Sequence, residues 1–278
     1  MLKLGDFELH WLQGGTFELD GGTMFGPVPK VLWQRKLKAD DDNYINFNNS
    51  PILLKTPKAN IVIETGFGNK LNEKQIKIFR VKTAWDLPGS LAALGLGRED
   101  IDYVILTHCD YDHAGGVIMH NQEAEPELTF PRAKHMVQRI EWEDATNPNR
   151  RSASTYFQNN FDLLVDSPLL KLIDGDHDMI DGVRLLHTAG HTRGHQVVRM
   201  ESKGKVAIHM ADLLPTHVHY NPLWVMSYDN FPLDAIEQKE RLERMALEED
   251  AWITFYHDTV YRACKFDEKG NVTDSVPV

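Results

Sequence analysis

Apolar and polar residues alternate over 6–12 (DFELHWL), the period-two pattern of a half-buried strand. Two short apolar runs, 51–55 (PILLK) and 60–64 (NIVIE), flank Thr56-Pro57-Lys58-Ala59 and predict a hairpin. Further strands are predicted at 102–107, 133–137, 183–187, 196–200, 205–210 and 252–256. Between them the spacing predicts helices over 88–95, 138–146, 155–165 and 233–248. Short apolar strands alternating with helices indicate an α/β layered protein. Histidines and aspartates fall just beyond the strands, at His108, His187 through His191, Asp212 and His257. Loops at the carboxyl ends of strands are where α/β proteins place their chemistry.

The chain has 278 residues, enough to bury a sizeable core without disulfides, and nothing low in complexity divides it. One domain spanning 1–278 is expected. A formal net charge of −11 repels phosphate backbones and anionic membranes, which argues against a nucleic-acid partner. Cys109 and Cys264 are the only cysteines, which suits a reducing compartment. The opening MLKLGDFELHWLQGG has no long apolar run and does not read as a signal peptide, and no stretch has the roughly 20 apolar residues of a membrane helix. A cytoplasmic protein is expected.

The segment His108-Cys109-Asp110-Tyr111-Asp112-His113-Ala114-Gly115-Gly116 puts four potential metal ligands within six residues, directly after an apolar strand. A tight loop leaving a strand can aim them together, and the two glycines let the backbone turn closely at its end. Imidazole nitrogen with carboxylate oxygen suits zinc, iron or manganese. His191, Asp212 and His257 follow three further strands. A chain with 13 histidines also places some in its core and on its surface. Four strand ends each carrying a ligand-type residue is nevertheless a pattern chance seldom produces.

The run His-x-[ligand]-x-Asp-His-[Ala/Ser]-x-Gly, followed by Gly-His, Asp and His, resembles the metallo-β-lactamase superfamily. Asp20 through Lys30, His209 through His217, Asn221 through Met226, Tyr228-Asp229 and Phe255 through Asp258 with Tyr261-Arg262-Ala263 make it similar to the YtnP-like quorum-quenching lactonases. The resemblance implies an αβ/βα four-layer sandwich and two divalent metals, zinc first among them, about 3.5–4 Å apart. It places His108, Asp110 and His191 on one metal and Asp112, His113 and His257 on the other, with Asp212 bridging. The implied nucleophile is a hydroxide held between them, with Asp112 or Asp212 shuttling the proton.

Two departures matter. The family usually has histidine at the Asp110 position. Either Asp110 ligates, giving a harder site that favours iron or manganese, or it falls short and weakens the first site. Well-studied lactonases of this fold carry a tyrosine three residues after the bridging aspartate. Here Pro215 stands there, leaving Tyr220 and Tyr228 as candidates for that role. Met24, Phe25, Trp224 and Met226 are candidate walls of an acyl pocket, with core packing the equal alternative, and His217 is a candidate substrate contact. Cys109 is expected to be buried filler, His195 to steady the 188–194 loop, and Glu64 and Asp258 to orient metal-bound imidazoles. The activity implied is opening of N-acyl homoserine lactone-like rings. Arylesterase or phosphotriesterase chemistry of the methyl parathion hydrolase type is the nearest rival, and a diiron redox protein or a metal-dependent binding protein the more distant ones. The apolar 24–33 segment is a candidate homodimer interface by analogy with lookalike lactonases.

Overall fold

The computed structural model describes residues 1–278. Its framework is two seven-stranded sheets. The first runs Leu2–Leu4, Phe7–Trp11, Ile52–Lys55, Asn60–Ile63, Tyr103–Ile105, Lys134–Gln138 and Leu170–Ile173. It begins as an antiparallel meander and becomes parallel from Asn60–Ile63 onward. The second runs His177–Ile180, Val183–His187, Gln196–Ser202, Lys205–His209, Trp252–Thr254, Tyr261–Phe266 and Val272–Pro277. Its one parallel pairing joins Lys205–His209 to Trp252–Thr254.

Strand side chains alternate between two faces, and the cores sort by that alternation. In the first sheet Ile52, Leu54, Ile61, Ile63, Ile105 and Met136 join Val183, Leu185, Val198, Met200 and Ala207 of the second in one core between the sheets. The intervening Leu53, Val62, Val104 and Val137 face outward, into a core shared with Leu87, Leu91 and Trp142 of the covering helices. On the other side Leu186, Val197, Val206, Ile208 and Ile253 pack against Ala235, Leu242 and Ala246. Those last three lie on one stripe of the helix Pro232–Glu248, whose Pro232 occupies the first turn, where a missing N–H costs nothing. Helix, sheet, sheet, helix is the four-layer sandwich expected.

Every predicted strand is present, and the hairpin closes through the Thr56 N–H to the Ala59 carbonyl. Three of the four predicted helices form, as Leu87–Ala93, Arg139–Thr146 and Pro232–Glu248. The fourth does not. Residues 155–165 fold as irregular turns around a short 3₁₀ segment, Gln158–Asn160. Asn159, Asn160 and Asp162 compete for backbone hydrogen bonds, and the aromatic residues are claimed by separate partners. Tyr156 donates to Glu141, Phe157 stacks on Tyr111 and Phe161 meets Trp142 edge-on. The small sheet pairing Thr16–Asp20 with Tyr44–Asn48 was not foreseen. In the 24–33 segment Met24, Phe25, Val28 and Trp33 are buried within their own chain, leaving Val31 and Leu32 exposed.

His135, opposite Val104 on the outer face of the first sheet, is fully buried with neither ring nitrogen hydrogen-bonded. Burial pushes its pKa down to about 4. The folded state therefore stays neutral where the unfolded chain takes a proton, below the usual histidine value of about 6.5. Stability is full above pH 6.5 and falls as the pH drops toward 4, by on the order of 3 kcal/mol from this group. His135→Leu is expected to flatten that slope by one proton's worth in urea midpoints between pH 6.5 and 4.5. An unchanged slope would contradict the assignment.

Candidate metal centre

The loops beyond the strands converge between the two sheets' carboxyl ends. His108 and Asp110 leave the first sheet after Tyr103–Ile105, while Asp112 and His113 sit on the short helix Tyr111–Ala114. His191 follows Val183–His187, Asp212 follows Lys205–His209 and His257 follows Trp252–Thr254. The seven expected ligand positions come together in two groups.

In the first, His191 Nε2 lies 3.4 Å from Asp110 Oδ2 and 3.5 Å from Asp212 Oδ2. His108 Nε2 lies 3.6 and 3.9 Å from the same two oxygens. In the second, His257 Nε2 lies 3.1 Å from Asp212 Oδ1, 3.6 Å from Asp112 Oδ2 and 3.3 Å from His113 Nε2. His113 Nε2 lies 3.2 Å from Asp212 Oδ1 and 3.9 Å from Asp112 Oδ2. A tetrahedral site with bonds of 2.0–2.2 Å has ligand–ligand edges of about 3.3–3.6 Å, so both groups have the dimensions of a metal cage. Asp212 gives one oxygen to each.

The donor chemistry fits a cation as well as the spacing does. His108 Nε2 and Asp212 Oδ1 are buried without a hydrogen-bond partner. Three of the four imidazoles are hydrogen-bonded through Nδ1, and the fourth, His113, turns its Nδ1 toward a carboxylate without a hydrogen bond, which leaves Nε2 of each for its cage. His108 Nδ1 bonds Thr107 Oγ1 at 3.0 Å, and the Thr107 hydroxyl in turn donates to Glu64. His113 Nδ1 faces Glu64 Oε1 at 3.4 Å, His191 Nδ1 bonds Asp229 at 2.9 Å and His257 Nδ1 donates to the Asn48 carbonyl at 2.8 Å. Glu64 holds its place at φ +65°, a left-handed backbone that strains a residue with a side chain.

The charges respond to one another. Burial pushes Asp212 up, but His113 and His257 beside it outweigh this and hold its carboxyl well below the usual range. Burial pushes His113 down, and Asp212, Asp112 and Glu64 raise it well above the ordinary histidine value. His108 is driven well below that value by burial and by the neighbouring His113 and His191.

Above the cages lies a cavity of about 240 Å³. Asp110, Asp112, His191, Asp212 and His257 form its floor, and Leu19, Met24, Phe79 and Met226 an apolar wall. Tyr111, Tyr228, Ser154 and Thr155 supply hydroxyls. Of the predicted pocket residues Met24 and Met226 line it, while Phe25, Trp224 and His217 do not. Phe25 is fully buried, stacked between Trp33 and His219, and Trp224 and His217 border a separate surface pocket. Tyr228 lines the cavity with its hydroxyl 2.8 Å from Thr23 Oγ1, whereas Tyr220 stacks on Phe266 away from it.

Asp258 does not orient a cage imidazole. It accepts from the His217 N–H and ring at 2.6 and 2.5 Å, tying the loop after Asp212 to the loop after His257. His195 closes the 188–195 loop through Thr188, and His219 bonds Thr216 and the Met24 carbonyl. Cys109 is buried and its thiol pKa is raised by that burial, away from ligation. Sequence reasoning missed Asp229 and Asn48. Asp229 is 38 residues from His191, and Asn48 acts through a carbonyl that every residue possesses.

Comparison with known proteins decides the family. The profile of the Metallo-beta-lactamase superfamily matches residues 46–257. The chain belongs to that superfamily. Its metallo-β-lactamase fold is shared at a TM-score of 0.93 and 38% identity with a probable metal-dependent hydrolase from Staphylococcus aureus, over 100% of this chain and 99% of that one. An N-acyl homoserine lactonase from a Bacillus species is 27% identical over 228 residues, 77% of this chain and 82% of the relative. The dizinc quorum-quenching lactonase AidC, solved with its product, shares the fold at a TM-score of 0.80 and 22% identity, over 100% of this chain and 96% of that one. The chain is thus a superfamily metallo-hydrolase related to quorum-quenching lactonases at modest identity. No helix is long and apolar enough to cross a membrane.

Proposed function

We propose that residues 1–278 act as one cytoplasmic, dinuclear metal-dependent lactonase that opens N-acyl homoserine lactone-like ring esters. The observation that carries this reading is the pair of cages sharing Asp212 beneath a cavity with an apolar wall. His108, Asp110 and His191 would hold one divalent ion, zinc by preference with iron or manganese admitted by Asp110, and Asp112, His113 and His257 the other. When bound, such a pair supplies water acidified to near neutral pH and a Lewis acid for the ester oxygen.

The protein's own groups do the rest. Glu64, Asp229 and the Asn48 carbonyl fix the imidazoles, so the donor set is ready before substrate arrives. Asp112, whose carboxyl burial pushes up, is the carboxylate able to take a proton from water and pass it to the leaving alkoxide, while Asp212, with both oxygens turned into the cages and its carboxyl held low, serves as the bridge. Met24, Leu19, Phe79 and Met226 would receive the acyl chain and keep water from it. Tyr228 lines the cavity with its phenol donating to Thr23 Oγ1, whose own hydroxyl donates to the Asp20 carbonyl; released from Thr23, the phenol would be the donor for the substrate carbonyl that Pro215 cannot supply. The buried free thiols of Cys109 and Cys264 agree with a reducing compartment.

The test is a panel of acyl homoserine lactones, simple γ-lactones, aryl esters and paraoxon, compared by kcat/KM. The proposal expects acyl homoserine lactones to lead by at least about tenfold, ~1.4 kcal/mol of transition-state preference. A lead for paraoxon or an aryl ester would reassign the chain to the phosphotriesterase or arylesterase reading. No turnover of any member by metal-loaded protein would refute the hydrolase assignment of the site.

A further inference from the structure

Two loops from different sheets must meet to form the first cage, and something must set their spacing. Glu141, in the helix Arg139–Thr146, lies between them with no exposure to solvent. Its Oε1 accepts the Cys109 N–H at 2.8 Å and the Tyr156 hydroxyl at 2.8 Å, and its Oε2 accepts the Thr192 hydroxyl at 2.6 Å. Cys109 stands between His108 and Asp110, and Thr192 follows His191. One carboxylate therefore touches the neighbours of all three residues that the first cage needs besides Asp212.

The second cage has a different support. The Asp112 carbonyl accepts from the Tyr256 hydroxyl at 2.7 Å, and the His113 carbonyl accepts from Thr65 through its N–H at 2.8 Å and its hydroxyl at 2.7 Å. Glu141 bonds none of these. It also forms no ion pair, Arg193 nearby being paired with Asp144, and a buried carboxylate in that state costs free energy unless its oxygens are fully engaged by donors. Three strong donors meet that need. The fit is close on the far side too: a Cβ on Gly194 would stand 2.4 Å from Glu141 Cβ and 2.5 Å from its backbone nitrogen. The 188–195 loop is thus seated directly on the first turn of this helix.

We infer that Glu141 is a positioning residue for the first metal cage alone, a strut that holds the His108–Asp110 loop at its working distance from His191. The inference rests on the metal-binding reading above. Carboxylates that support ligands at one remove typically contribute about 10- to 100-fold to metal affinity. Glutamine can keep the strut, since its carbonyl can still accept from Cys109 and Tyr156 while its amide donates to Thr192. Alanine cannot.

The experiment isolates each cage. In a His257→Ala background zinc binding reports the first cage, and in a His191→Ala background the second. Zinc affinity is measured by chelator competition, alongside the melting temperature of the chelator-stripped protein. Glu141→Ala is expected to weaken zinc by about 10- to 100-fold in the first background and by less than about threefold in the second, with Glu141→Gln recovering most of the loss. Thr192→Val removes one arm of the strut with little change of shape and is expected to cost the first cage several-fold, which keeps the test valid if Glu141→Ala does not fold. Equal weakening of both cages, or a lowered melting temperature with zinc affinity unmoved in both, would overturn the inference. Failure of the unsubstituted protein to bind zinc would instead refute the metal-binding reading itself.

Discussion

Asp212→Ala is expected to lower kcat/KM on the best lactone by about a thousandfold. Its two oxygens divide between the cages, Oδ1 at 3.1–3.2 Å from His257 and His113 and Oδ2 at 3.5–3.9 Å from His191 and His108. No other residue approaches the Nε2 atoms of both groups with its oxygens. Its loss removes a donor from each cage and the anion that links them, leaving two sets of imidazoles facing one another. Metal pairs contribute several kcal/mol of transition-state stabilisation, and about 4 kcal/mol corresponds to three powers of ten in rate. Asp212→Asn keeps one strong acceptor and should fall between the variant and the parent. Rate and metal content are measured together. Activity within tenfold of the parent at full metal content would mean that Asp212 is not the bridge.

Asp110→His is expected to move metal preference rather than abolish binding. Asp110 Oδ2 stands 3.4 and 3.6 Å from the Nε2 atoms of His191 and His108, close enough to complete the cage despite its short side chain. A carboxylate makes the site harder and more anionic than imidazole would, favouring iron and manganese over zinc. The substitution should raise the zinc-to-iron occupancy ratio by about tenfold, ~1.4 kcal/mol of selectivity, when protein is loaded from an equimolar mixture. Elemental analysis checks this, with about two metals per chain expected in the parent. One metal in the parent and two in the histidine variant would show that Asp110 does not ligate.

The cage residues were legible because their chemistry is local. His108 through His113 crowd into one loop, and strands such as 102–107 and 205–210 announce the loops that follow them. Of the residues that brace the cages, Glu64 was legible and the others were not. Asp229 and Glu141 look like ordinary acids on a surface of many, and only the tertiary fold brings them 38 and 51 residues along the chain to His191 and Thr192. The apolar wall of the cavity was half legible: Met24 faces the cavity, but its neighbour Phe25 turns into the stack of Trp33 and His219. Apolarity alone does not tell a pocket wall from core. The same holds for 155–165, whose apolar spacing suggests a helix although Tyr156 and Phe157 are drawn to separate partners, Glu141 and Tyr111. Sequence periodicity cannot weigh such contacts.

The most direct measurement is anomalous diffraction from crystals of the metal-loaded protein. The account predicts two peaks about 3.5–4 Å apart, one among His108, Asp110 and His191 and one among Asp112, His113 and His257, with an oxygen of Asp212 on each. A single peak, or peaks that leave His191 or His257 unliganded, would contradict it.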